Sequence, residues 1–296
     1  MNVIEINNLT KDYGDRKGIF SINFSVKKGE VLGFLGPNGA GKTTTIRHLM
    51  GFSKADKGSC SINGSNCFDN SSEIQKYLGY LPGEIAFLDD MTGIKFIKFV
   101  AEMKGIKDLS RAKELIERFE LNPKGKIKKM SKGMKQKIGI VCAFMQEPEI
   151  LILDEPTSGL DPLMQNEFIK LIAEEKEKGR TILMSSHNFE EVEKACDRAA
   201  IIKEGKIVAV ENISTLKESK QKIYNVTFEN SNIANKFGTE GFKVKEIKDN
   251  NVTVSIKGDI TPFIKALGKY KILNLESYTQ SLEDLFMHYY GGENND

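Results

Sequence analysis

The stretch GPNGAGKTT at residues 36–44 constrains this chain more than any other feature. It satisfies G-x-x-x-x-G-K-[ST] in full, a loop that works only between a strand and a helix. Both flanks comply. VLGFLG precedes it as a compact apolar strand, and Ile46, Leu49 and Met50 follow at helical spacing. Gly36, Gly39 and Gly41 free the backbone so that N–H groups can converge on phosphate oxygens. The helix start adds partial positive charge to the same spot. Lys42 is placed to reach β- and γ-phosphates, and the Thr43 hydroxyl to coordinate Mg²⁺. The expected phosphate-binding set is therefore Gly36, Pro37, Asn38, Gly39, Ala40, Gly41, Lys42, Thr43 and Thr44.

A second apolar strand, ILILDEP at 150–156, ends in two carboxylates. Asp154 at a strand's carboxyl edge can hold Mg²⁺ directly or through water. Glu155 beside it is placed to polarise an attacking water as general base. TILMSS forms a third such strand, separated from the second by the helical stretch QNEFIKLIAEEKEKG. Strand, helix, strand at this spacing predicts a parallel α/β core. Alternating runs in the first 30 residues predict antiparallel strands. Residues 73–145 read as largely helical, with Leu115, Ile116 and Phe119 of RAKELIERFE on one face. AAIIKEGKIVAV reads as a hairpin turning at Glu204-Gly205.

Composition removes several alternatives. Forty-three basic residues against 41 acidic ones leave +2, which gives no electrostatic case for nucleic acid or an anionic membrane. Lys124 to Lys137 carries seven lysines, and charge runs alone usually mark a solvated face. Cys60, Cys67, Cys142 and Cys196 show no CxxC pair and no zinc-like grouping with the three histidines, as expected of reduced cytosolic thiols. The N-terminus lacks a basic region followed by an apolar one, so no secretory leader is expected. GIKFIKFVAEM is broken by Lys95 and Lys98 and is too short to span a bilayer.

After about Leu216 the pattern changes to four strand-like runs with helices expected at 231–237, 261–268 and 281–290. This βαββαβ order plus a last helix suits a small ferredoxin-like unit. Ser281 and Asp284 form a capping box for the last helix, with Leu282, Leu285, Phe286 and Tyr289 on one face. His288 has no companion ligand.

The ordered set GPNGAGKTT, MSKGMKQK, ILILDEPTSGLDP and MSSHN resembles the ATP-binding-cassette (ABC) ATPases over residues 1 to about 215. The resemblance implies an α/β P-loop NTPase cassette with a RecA-like core, an antiparallel β subdomain and a helical subdomain at about 76–145. A small α+β domain is expected at 216–296. MSKGM stands where the family has LSGGQ, so Ser131 and Gly133 would contact the γ-phosphate of ATP held on a second cassette, head to tail. Lys132 and Met134 replace the usual Gly and Gln. The stretch Ser158 to Asp161 resembles the D-loop that links the two sites, with Asp161 among the nucleotide-facing residues. His187 matches the switch histidine that supports the attacking water, and Tyr13 stands where an aromatic ring stacks on adenine. Glu155, His187 and Lys42 are the catalytic residues so implied, with Thr43 and Asp154 on Mg²⁺.

The family's glutamine should follow Pro82, yet Gly83 stands there and Glu84 comes next; Glu84 is the candidate substitute. The C-terminal wording resembles subunits serving ABC-2-type exporters. A separate multi-spanning membrane subunit, a second copy or homologous cassette as partner, and a peripheral place on the inner face of the cell membrane follow from that. The competing readings are a soluble cassette ATPase acting on ribosomes or DNA, and a nucleotide-binding regulator that does not hydrolyse. One cassette, no sustained heptads and near-neutral charge weigh against the first; intact Asp154, Glu155 and His187 weigh against the second.

Overall fold

The computed structural model describes residues 1–88, 90–219, 222–279 and Glu283. The chain divides into two compact units, Met1–Ile213 and Ser214–Asp296.

The first unit opens with β1 (Asn2–Asp12), β2 (Gly18–Lys27) and β3 (Val31–Leu35), then α1 (Lys42–Leu49), β4 (Lys57–Ile62) and β5 (Ser65–Asn66). A mostly helical stretch follows: α2 (Ser71–Tyr77), β6 (Leu78–Leu81), α3 (Gly93–Met103), α4 (Ser110–Arg118) and α5 (Lys132–Phe144). It closes with β7 (Ile150–Asp154), α6 (Pro162–Glu177), β8 (Thr181–Ser186), α7 (Phe189–Ala195), β9 (Arg198–Lys203) and β10 (Lys206–Asn212).

Two sheets result. The first is antiparallel, in the order β2-β1-β4-β5, and the alternation of the first 30 residues accounts for its leading pair. The second has the order β10-β9-β3-β8-β7-β6; all its pairings are parallel except β9 with β10. A sheet buried on both faces has strands that read as unbroken apolar runs. β3, β7 and β8 are buried at every position. One core cluster joins the two sheets, with Ile4, Leu9 and Ile22 from one and Phe34, Ile152 and Leu183 from the other. The hairpin turns where the sequence places it, because Glu204 and Gly205 both adopt positive φ (47° and 73°), as a tight two-residue connection requires.

Residues 73–145 carry α2, α3, α4 and α5, and among these helices Leu78–Leu81, which the sequence did not announce, forms an edge strand paired in parallel with β7. A four-residue apolar run carries no period that separates a buried strand from a buried helix. α4 behaves as its spacing predicts, burying Ala112 and Leu115 while Phe119, its C-cap, is fully enclosed. Among the described residues no helix is long and apolar enough to cross a membrane.

The second unit has α8 (Ile213–Ser219) at its boundary, then β11 (Lys222–Phe228), α9 (Ser231–Phe237), β12 (Lys243–Lys248), β13 (Asn251–Ile256), α10 (Thr261–Leu267) and β14 (Ile272–Thr279). The antiparallel sheet runs β12-β13-β11-β14, the split βαβ order expected of βαββαβ. Tyr224, Val226 and Phe228 alternate onto the face covered by α9 and α10, where Phe237 and Phe263 fill the core. Of the helix expected at 281–290 only Glu283 is among the described residues; its capping box and His288 lie outside them.

Candidate nucleotide site

The site forms where β3, β8 and β7 end side by side, the carboxyl edge at which open α/β sheets bind ligands. β3 delivers the loop 36–41 and then α1. Gly41 has φ +109°, and a Cβ there would lie 2.7 Å from Ile19 Cγ2, so glycine is required by both backbone and space. Gly36 is as tightly held: an added Cβ would meet the Ile202 carbonyl oxygen at 2.4 Å. The loop is also pinned through its backbone, with Gly36 N–H donating to Ser186 O and Gly205 N–H to Ala40 O.

Lys42 is 5% exposed and folds back over its own loop, donating to the Gly36 carbonyl at 2.6 Å and the Pro37 carbonyl at 3.2 Å. Its ammonium also pairs with Glu155 Oε1 at 3.1 Å. The other carboxylate oxygen of Glu155 lies 2.7 Å from His187 Nδ1. Lys42, Glu155 and His187 thus form one chain of contacts, although they come from three separate segments. Glu155 reaches both because its backbone enters the left-handed region (φ 49°) directly after β7, a conformation unfavourable for a non-glycine residue. The neighbouring framework holds it: Ser185 Oγ accepts from Glu155 N–H at 3.0 Å, and Gln136 Nε2 donates to the Glu155 and Pro156 carbonyls at 3.3 and 2.8 Å.

Asp154 is fully buried and accepts from Thr43 Oγ1 at 2.8 Å and from Ser185 Oγ at 2.5 Å. Burial pushes the Tyr80 phenol on β6 up to about 12, and the Asp154 charge adds to the effect. Among the described residues no group of three His, Cys, Asp or Glu side chains could form a metal cage. Mg²⁺ does not require one, since it keeps several waters and takes one or two protein oxygens beside substrate phosphate. The paired Thr43 hydroxyl and Asp154 carboxylate fit that description.

A cavity of about 600 Å³ runs along the loop. Pro37, Asn38, Gly39, Gly41, Lys42, Thr43, Thr44 and Glu155 line it, with Tyr13, Arg16, Lys17, Gly18, Glu204 and Gly205 also on its wall. The Tyr13 ring is 58% exposed, an aromatic face open to a ligand. Ser131, Gly133 and Asp161 are not among the lining residues. Ser131 caps α5, its Oγ accepting from Met134 N–H at 3.2 Å, and Asp161 caps α6, its Oδ1 accepting from Met164 N–H at 3.1 Å. A Cβ on Gly133 would sit 2.5 Å from Gly159 O, so α5 starts hard against the loop after Glu155. Gly83 is the residue that faces Asp154, a Cβ there coming within 3.1 Å of Oδ2, whereas Glu84 is exposed.

Arg16, Lys17, Ser185, Gln136 and Glu204 were not anticipated as site residues. Arg16 and Lys17 follow Tyr13 in a charged turn that gives no directional signal, and Gln136 sits in a lysine-rich run that reads as solvated.

Comparison with known proteins agrees with this geometry. Residues 19–158 match the ABC transporter family. The bacitracin transport ATP-binding protein BcrA of Bacillus licheniformis is 35% identical over 300 residues, covering 98% of each chain. The linearmycin resistance ATP-binding protein LnrL of Bacillus subtilis (strain 168) is 38% identical over 213 residues, 70% of this chain and 68% of that one. Among solved structures, an ATP-binding subunit of an ABC transporter superposes with TM-score 0.67 at 32% identity, covering 73% of this chain and 92% of that one. The dimeric cassette MJ0796 shares the fold at TM-score 0.64 and 23% identity, over 71% and 98% of the two chains. With its phosphate loop, paired carboxylates and strand-end histidine on one sheet edge, the chain belongs to the ABC transporter family, as one of its ATP-binding proteins.

Proposed function

We propose that the chain hydrolyses ATP at the Lys42–Glu155–His187 constellation and drives an ABC exporter through a separate membrane subunit. The observation that carries the catalytic part is the double engagement of Glu155 by Lys42 and His187, 3.1 and 2.7 Å away. The triphosphate displaces Glu155 from Lys42, and the lysine turns from its own carbonyls to the β- and γ-phosphates. Gly36 through Thr44 wrap the phosphates with backbone N–H groups, and Tyr13 stacks on adenine. Glu155 then holds the attacking water and takes its proton, while His187 orients the carboxylate and faces the γ-phosphate. Thr43 and Asp154 would hold Mg²⁺, which when bound would supply positive charge against that developing on the phosphates.

Ser131, Gly133 and Asp161 stand apart from the chain's own cavity, as residues would that complete the site of another cassette. A head-to-tail pair, of two copies or of this chain with a homologous cassette, puts the start of α5 on the partner's γ-phosphate. In this reading residues 1–215 are the cassette and 216–296 a small accessory domain. The protein lies on the cytoplasmic face of the cell membrane, held there by its membrane subunit. Export is supported by relatives named for bacitracin transport and linearmycin resistance.

The test is recovery of tagged Glu155→Gln chain from native membranes with Mg-ATP present. A stoichiometric multi-spanning protein supports the reading. Ribosomal proteins or nucleic acid without a membrane subunit replace it with a soluble cassette ATPase.

A further inference from the structure

Lys132 stands where the family has glycine, and the structure gives its side chain a definite contact. Its ammonium donates to Ser158 Oγ at 2.7 Å, joining the first turn of α5 to the loop that leads into α6. The stem is also seated. Gly159, at φ +80°, has no Cβ, and one built there would lie 2.9 Å from Lys132 Cγ and 3.1 Å from Cδ. The lysine stem therefore lies flat on bare backbone. Beside it, Gly133 approaches Gly159 O so closely that an added Cβ would clash at 2.5 Å. One helical turn further, Gln136 holds the Glu155 and Pro156 carbonyls. The start of α5 is thus attached to residues 155–159 at successive points, and Lys132 makes the outermost of them.

We propose that Lys132 is a positioning residue that fastens the MSKGM turn to the Ser158–Asp161 loop of the same chain, so that both meet a partner cassette's nucleotide as one body. The inference rests on the two-cassette reading above. It adds that the lysine acts through Ser158 and not as a ligand of the phosphate. Two surface segments that must dock together lose less entropy on docking if they are already aligned. Lys132 is exposed as a whole, but its stem runs over Gly159 while its ammonium takes the hydroxyl. A glycine at 132 would remove this outermost attachment and leave the two segments joined only by the Gly133–Gly159 contact and Gln136. The consequence falls on apparent ATP affinity, which includes closure of the composite site. The chemical step on Glu155 is a separate matter.

The experiment is a double-mutant cycle on the full chain, with steady-state ATPase kinetics for Lys132→Met, Ser158→Ala, the double variant and Lys132→Arg. Methionine keeps the stem and removes the ammonium, so the fold is preserved; thermal midpoints close to the parent's establish that for each variant. Each single change is expected to raise KM for ATP about two- to fivefold, with kcat within about twofold. The double variant is expected to be no worse than Lys132→Met alone, because the two changes remove one bond, and Lys132→Arg to recover most of the loss. Multiplicative effects in the double variant overturn the inference. So does a KM effect of Lys132→Met with none from Ser158→Ala, which would make the ammonium a direct phosphate ligand. A Glu155→Gln control separates the two levels. If that variant turns over at the parental rate, the proposed function fails; if it is inactive and the cycle is additive, only the Lys132 inference fails.

Discussion

Replacing Gln136 with leucine tests whether α5 holds the loop at Glu155, the proposed general base, in shape. The side chain is 4% exposed, and its amide donates to two backbone carbonyls, Pro156 O at 2.8 Å and Glu155 O at 3.3 Å. Leucine fills nearly the same space, so the cavity contribution is small. The cost falls mainly on the buried Pro156 carbonyl left without its donor, about 1–3 kcal/mol, since the bond to the part-buried Glu155 carbonyl is longer. For a unit of about two hundred residues, 1 kcal/mol corresponds to roughly 2–4 °C in thermal midpoint, giving an expected fall of about 2–12 °C. Gln136→Glu should cost more, since a carboxylate would face the same two acceptors. Function should suffer as well. Glu155 sits at φ 49°, and a loop released from Gln136 has less to hold that conformation. Displacement of a catalytic group by about an ångström can cost up to about a hundredfold, so kcat should drop at least about tenfold. Scanning calorimetry and ATPase assays on the parent and both variants provide the data. A Gln136→Leu protein within about 1 °C of the parent and with parental kcat would refute the reasoning, as would a Gln136→Glu protein as stable as the parent.

Ser185→Ala removes the donor to Asp154 Oδ1 and the acceptor for Glu155 N–H, and should destabilise by about 1–3 kcal/mol; urea unfolding measures it. Gly36→Ala forces a Cβ to within 2.4 Å of the Ile202 carbonyl and should destabilise the fold by about 1–3 kcal/mol, read by urea unfolding. Gly39→Ala, at φ +80° but facing open space, should cost only about 1 kcal/mol of strain. Glu191 is buried against Ser186, and burial raises its carboxyl above the ordinary 4.5. The folded protein then keeps a proton that the unfolded chain releases, so this residue's contribution to stability declines as pH rises from 4.5 through the raised value. The stability gain of Glu191→Gln over the parent should therefore grow from pH 5 to pH 8, and thermal midpoints that differ by a constant amount across that range contradict it.

How much the sequence disclosed depended on how local each feature was. The phosphate loop was legible because its glycine spacing, preceding strand and following helix are adjacent in the chain, and β3 and α1 flank it as expected. Asp154 and His187 were legible because apolar runs announce β7 and β8, and position at a strand's end can be read along the chain. Leu78–Leu81 was missed for the opposite reason, being too short to carry a period. Gln136 and Ser185 owe their places to strand and helix pairings across 19 to 31 residues of separation, which residue type does not reveal. Arg16, Lys17 and Glu204 reach the cavity wall only because β1, β2 and the β9–β10 turn converge there. The substitution of Gly83 for the family glutamine was visible at once, while its place against Asp154 required the fold.

The most direct measurement is ATP turnover and ATP binding by Glu155→Gln, side by side with the parent. The account predicts a kcat lowered by about a hundredfold or more, because the base that takes the water's proton is gone. It also predicts ATP affinity equal to or higher than the parent's, because Lys42 no longer has a carboxylate partner 3.1 Å away. Turnover within about twofold of the parent would contradict the assignment of Glu155, and with it the central claim that this constellation hydrolyses ATP.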